Sequence, residues 1–138
     1  MNDKGTLIIY TDETFSVGQD TFIDSVADNG NVVVFEDNEE TGYFYAVERT
    51  DGIGILDSLH IYDVANVIDN NKPSNIRILW TKDEMKAVLS INNYYHAIFD
   101  FKDRAGYCRN GFPHTQGNWA LINDRLLTEE LIEKFAKE

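Results

Sequence analysis

The pair Asn92-Asn93 separates two strand-like runs, Met85 to Ile91 and Tyr94 to Phe101. Asparagine tolerates the left-handed conformations that a two-residue hairpin turn demands. Such a turn sets a register. Ile91 then opposes Tyr94, Leu89 opposes His96, Ala87 opposes Ile98 and Met85 opposes Asp100. The other face pairs Lys86, Val88 and Ser90 with Phe99, Ala97 and Tyr95, with Phe101 beyond. Both faces are substantially apolar, so the sheet is expected to be covered on two sides, by a helix, a long loop or its own curvature.

The first third follows the same pattern. Asn31 to Glu48, NVVVFEDNEETGYFYAVE, carries β-rich runs at Val32 to Phe35 and Tyr43 to Val47. Gly42, in the loop between them, is read as supplying a backbone conformation closed to other residues. Thr6 to Tyr10 reads as a first strand, followed by a polar stretch with Gly18. Thr21 to Val26 reads as a second strand and Asp28 to Asn31 as a turn. Thr50 to Gly54 is loop chemistry. Leu59, Ile61 and Tyr62 tilt Leu56 to Val64 from helix toward strand. Asp69 to Ser74 is a break, Ile76 to Trp80 a strand, and Gly106 to Arg109 a strand after the turn at Lys102 to Ala105. Trp119 to Ile122 is open between strand and loop.

A helix is expected from Thr128 to Lys137. Thr128 can cap it, Glu129 and Glu130 suit its positive end, Lys134 and Lys137 its negative end, and Leu131, Ile132 and Phe135 form one apolar stripe. The expected fold class is therefore α+β, a mainly antiparallel β-meander sheet with the C-terminal helix packed on it. At 138 residues without repeats or a proline-rich linker, residues 1–138 are expected to form a single globular domain.

Charge divides the chain. Residues 1–70 hold 15 Asp/Glu against 2 Lys/Arg, a net of −13; residues 71–138 hold 9 against 10, a net of +1, and together these recover −12. Such a field disfavours nucleic-acid phosphates and anionic membranes and attracts basic partners. No apolar run approaches the ~20 residues of a membrane helix. A lone cysteine, Cys108, permits no intrachain disulfide and fits a reducing compartment. With no signal-like N-terminus, the expected location is the cytoplasm.

Groups that could carry chemistry are sparse. Cys108 with His96 as its base is one reading; a small buried sulfur is the plainer one. His96 and Asp100 share a face in the expected register but lie ~13 Å apart along the strand, outside hydrogen-bond reach. Glu36, Asp37, Glu39 and Glu40 crowd one loop without the spacing of an EF-hand, and no Cys/His spacing suggests zinc. No cofactor or metal is expected, and no catalytic residue. Tyr43 and Tyr45, on one strand face, can form a binding surface or half-buried sheet packing.

Five segments, FEDNEETGYFYA (Phe35 to Ala46), LHIYDV (Leu59 to Val64), KPSNIRILW (Lys72 to Trp80), HAIFDF (His96 to Phe101) and GYCRNGFP (Gly106 to Pro113), resemble a family of small bacterial proteins carrying a domain of unknown function. The similarity runs from about residue 22 to 113. It implies a compact bacterial domain and brings no activity, cofactor or catalytic residue to transfer. Lys82-Asp83-Glu84 stands where an Asp-Gly turn is expected, so that connection is expected to differ.

These readings point to an acidic protein-binding domain rather than an enzyme, such as an immunity protein or inhibitor neutralising a basic toxin such as a nuclease. Glu36, Asp37, Glu39, Glu40, Tyr43 and Tyr45 are the expected partner-binding residues. The alternative is a small-molecule-binding or regulatory sheet with a concave face lined by Tyr43, Tyr45 and Trp80.

Overall fold

The structure, a computed structural model, describes residues 7–48, 54–67, 72–109 and 126–136. The chain begins with β1 (Ile8–Ser16), then folds β2 (Thr21–Val26), β3 (Val32–Asp37), β4 (Thr41–Glu48) and β5 (Gly54–Asp63) as a consecutive antiparallel meander. A 3-10 turn, Val64–Asn66, leads on to β6 (Pro73–Trp80), β7 (Lys86–Ile91), β8 (Tyr94–Asp100) and β9 (Ala105–Cys108). β1 pairs with β6 instead of β2. The strands thus divide into a five-stranded sheet, β1-β6-β7-β8-β9, and a four-stranded sheet, β2-β3-β4-β5.

The expected mainly antiparallel α+β fold with its C-terminal helix is present, its strands divided between two sheets. The physical reason is that both sheets carry an apolar face needing cover. Ile23, Val33, Phe35, Phe44, Ala46, Leu59 and Ile61 of one sheet meet Phe15, Ile76, Ile78, Trp80, Ala87, Leu89, Ala97 and Phe99 of the other in one buried cluster. The Phe44 and Phe99 rings stack at 5.1 Å across it, and the Trp80 indole N–H donates to the Ser25 hydroxyl at 2.9 Å. The chain crosses between sheets after β1, where Gly18 takes a left-handed φ of 89°.

β1 runs to Ser16, six residues past Tyr10. Its polar stretch is that of an edge strand: Asp12 and Glu13 face solvent, Phe15 turns into the core, and Arg77 reaches Asp12 at 3.2 Å. Thr6 lies outside the described residues, as do Thr50 to Ile53, Asp69 to Asn71 and Trp119 to Ile122.

The Asn92-Asn93 turn forms as expected, with φ of 54° and 66°. Ile91 faces Tyr94 and Ser90 faces Tyr95, but then His96 is extra. Leu89 opposes Ala97, Val88 opposes Ile98, Ala87 opposes Phe99 and Lys86 opposes Asp100. This β-bulge replaces the expected register because it turns Ala97 and Phe99, rather than His96, toward the facing sheet.

The helix α1 (Glu129–Ala136) follows Thr128, whose hydroxyl oxygen accepts from the Leu131 N–H at 3.2 Å. Leu131 and Ile132 pack with Leu127 on the outer face of the five-stranded sheet, against Leu79, Val88 and Ile98. The sheet's two apolar faces are thus covered by the second sheet and by this helical segment. Lys137 and the Phe135 side chain lie outside the described residues.

The Lys82-Asp83-Glu84 turn places Glu84, where a glycine would be easiest, at φ 59°. Hydrogen bonds from residues distant in sequence hold it there. Its carboxylate accepts from the Tyr10 hydroxyl and the Asn29 N–H, and its carbonyl from the Asn29 and Asn31 side-chain amides. The Tyr10 hydroxyl pulls the Glu84 carboxyl below the usual carboxylate range, while Glu84 raises Tyr10 to about 12.

Candidate protein-binding face on the four-stranded sheet

Alternation along β2 to β5 turns one residue set into the core and the other outward. Register places Phe22, Glu36, Tyr43 and His60 in one row across the outer face. Asp24, Val34, Tyr45 and Ser58 form the next row, and Val26, Val32, Val47 and Ile55 a third. Phe22 is 69% exposed, Val26 43% and Ile55 49%.

The middle of this face is an aromatic stack. Tyr43 lies over Tyr45 with centroids 5.8 Å apart and over His60 at 5.0 Å, both near parallel. Carboxylates fix its edges. Glu36 accepts from the Tyr45 hydroxyl at 3.0 Å, and His60 Nε2 meets Asp63 Oδ1 at 2.8 Å. Burial first, then Glu36, raises the Tyr45 hydroxyl above its ordinary pKa, so it remains a neutral donor.

The β3–β4 turn extends this surface. Asn38 Oδ1 accepts from the Glu40 and Thr41 N–H groups at 3.0 and 2.8 Å, leaving the Glu39 and Glu40 side chains in solvent. Glu39, with φ 83°, is the left-handed residue of this turn. Gly42 is not; it is needed because a Cβ there would lie 2.5 Å from Tyr62 Cζ.

Asp37 stands apart from the other five expected partner residues. It continues the inward alternation of Val33 and Phe35 and is fully buried. Its carboxylate accepts from the Gly18 N–H at 2.8 Å, the Glu39 N–H at 2.8 Å and the Tyr62 hydroxyl at 2.6 Å. That group ties the β1–β2 crossing, the β3–β4 turn and β5 together, so Asp37 belongs to the scaffold. Burial and Asp37 push the Tyr62 hydroxyl upward.

Glu36, Glu39, Glu40, Tyr43 and Tyr45 therefore occupy one face and its turn. Trp80 does not join them: it is fully buried on the opposite sheet, which removes it from any binding surface. Sequence reading missed Phe22 and His60. The outward alternation of Phe22, Asp24 and Val26 was legible, whereas the His60 position depends on irregularities in the β4–β5 pairing.

Cys108 is buried with its sulfur 3.9 Å from the His60 carbonyl oxygen. Its strand position opposes Ala97, next to the His96 bulge. Among the described residues no group of three or more His, Cys, Asp or Glu side chains could hold a metal ion. None of the described helices is long and apolar enough to cross a membrane.

The fold and this face define a two-sheet antiparallel β-domain bearing an acidic, aromatic outer surface. The chain belongs to the family described as "Uncharacterized protein conserved in bacteria (DUF2251)", whose profile matches residues 15–136 and so takes in α1. A curated relative is an uncharacterized protein from Haemophilus influenzae, 42% identical over 82 residues. The match covers 59% of this chain and 51% of the relative, so the chain spans about half the length of the protein it matches. No solved structure matches.

Proposed function

We propose that this chain is an acidic protein-binding domain that docks a basic protein on the outer face of β2 to β5, as an immunity protein or inhibitor would dock a basic toxin such as a nuclease. The observation carrying this reading is how the charge asymmetry folds. Residues 21–63, which span the four-stranded sheet, contain ten Asp/Glu, no lysine and one arginine, Arg49. The sheet's outer surface combines exposed apolar groups with a rigid tyrosine stack. Aromatic anchors with a charged rim suit protein recognition, and an acidic field speeds encounter with a cationic partner.

The test is capture from a bacterium that encodes the chain. Immobilised protein is exposed to lysate at low salt, eluted with a salt gradient, and compared with the Tyr43→Ala/Tyr45→Ala double variant. The proposal expects a basic protein released at elevated salt from the unmodified chain and lost from the variant. Recovery of no basic protein, or equal recovery from the variant, contradicts it.

A further inference from the structure

At the end of the sandwich that also carries the β3–β4 turn, a cavity of about 500 Å³ opens between the sheets. It lies where the end of β1, the start of β6, the β7–β8 turn and the His96 bulge meet. That volume is in the range of sites for small organic ligands, ~300–1,000 Å³. Val17, Val67, Pro73 and Ile91 supply its apolar wall. Tyr62 contributes its ring only, since its hydroxyl donates to Asp37. Ser74 and Asn92, also at the wall, bond each other at 3.3 Å.

Three polar side chains remain, Lys72, His96 and the half-exposed Tyr94. Lys72 and His96 line the cavity, and among the described residues neither the ammonium group nor the imidazole nitrogens have a hydrogen-bond or ion-pair partner. The bulge puts His96 there: the regular register would have set it opposite Leu89. Its ring packs edge-on against Tyr94 at 4.9 Å. Burial first, then Arg109, lowers its pKa to about 4, so near neutral pH the ring has one donor and one acceptor nitrogen. Among the described residues no Asp or Glu lines the cavity, and an anion there meets Lys72.

We infer that this cavity binds a small apolar monocarboxylate, its hydrocarbon part against Val17, Val67, Pro73 and Ile91 and its carboxylate accepting hydrogen bonds from Lys72 and His96. The chain's overall negative field opposes anions at long range, so recognition rests on these local donors and on apolar burial.

The experiment is an NMR titration of the full chain with phenylacetate and hexanoate, using phenylacetamide and hexanamide as neutral controls. Saturable shifts are expected at the amides of Ile91, Tyr94 and His96. The acids should bind about tenfold more tightly than their amides, the ratio expected from one charge-assisted contact. Lys72→Met, an exposed position, should remove that preference and leave amide binding unchanged. Val67→Trp, which fills the cavity, should weaken both. The inference is overturned by absence of saturable shifts at millimolar acid, by equal binding of acid and amide, or by an unchanged preference in Lys72→Met.

Discussion

Asp37 and its acidic neighbours lie within five positions, yet their side chains meet different surroundings. Asp37 accepts three hydrogen bonds inside the protein, while Glu39 and Glu40 face water. Removing the Asp37 carboxylate leaves donors without a partner, each costing about 1–3 kcal/mol. Asp37→Ala is therefore expected to lower unfolding free energy by about 3 kcal/mol or more, and Glu40→Gln by no more than ~0.5 kcal/mol. Urea unfolding of both variants decides; similar midpoints would remove Asp37 from its scaffold role. His96 makes a second prediction at this scale. Its folded pKa, about 4, lies below the unfolded value of ~6.5, so the unfolded chain binds the extra proton between these limits. Stability from this group is complete above pH 6.5 and falls as pH drops toward 4, by on the order of 3 kcal/mol. His96→Asn should flatten that slope relative to the unmodified chain. Unfolding free energies at pH 7 and pH 5 that change equally in both proteins would contradict it.

The helical segment and the bulge show what a strand or helix contributes beyond its own residues. Leu127 is almost fully buried among Leu79, Val88 and Ile98. Leu127→Ala should destabilise the fold by about 2–4 kcal/mol, read by denaturant unfolding; a loss below ~0.5 kcal/mol would mean that the segment before α1 is not part of the packed structure. Strand identity at β2, β3, β6, β7 and β8 was legible because alternation and turn residues agreed there. So was α1, where cap, charges and stripe coincide. The bulge was not legible. One inserted residue changes no local propensity, and the choice between His96 and Phe99 for the core is made by the opposing sheet. β1 was cut short for a related reason: its polar residues suit an edge strand, a position that only the pairing with β6 reveals. Gly42 follows the same logic, its need arising from the Tyr62 ring twenty residues away in sequence. Gly42→Ala should displace that ring, and its destabilisation should shrink when Tyr62→Phe has already removed the hydroxyl bond to Asp37. Additive effects in that double-mutant cycle would deny the coupling.

Across the whole molecule, a charge imbalance in the first half of the sequence becomes an imbalance between sheets, because β2 to β5 form a sheet of their own. The charge was legible in composition; its gathering on one sheet was not, since it required β1 to pair with β6. Of the expected contact set, Tyr43 and Tyr45 share the outward face that their alternation indicated, while Asp37 was misplaced by counting loop acids without following the inward phase of Val33 and Phe35. The surface carboxylates to neutralise are therefore Glu36, Glu39 and Glu40. The most direct measurement is the association rate of the basic protein recovered by capture, measured at low and moderate ionic strength for the unmodified chain and for Glu36→Gln/Glu39→Gln/Glu40→Gln. A steered encounter predicts roughly tenfold slower association for the triple variant at low salt, a difference that shrinks as salt is added. Its unfolding midpoint should stay near that of the unmodified chain. An association rate unchanged by the triple substitution at low salt would contradict the account.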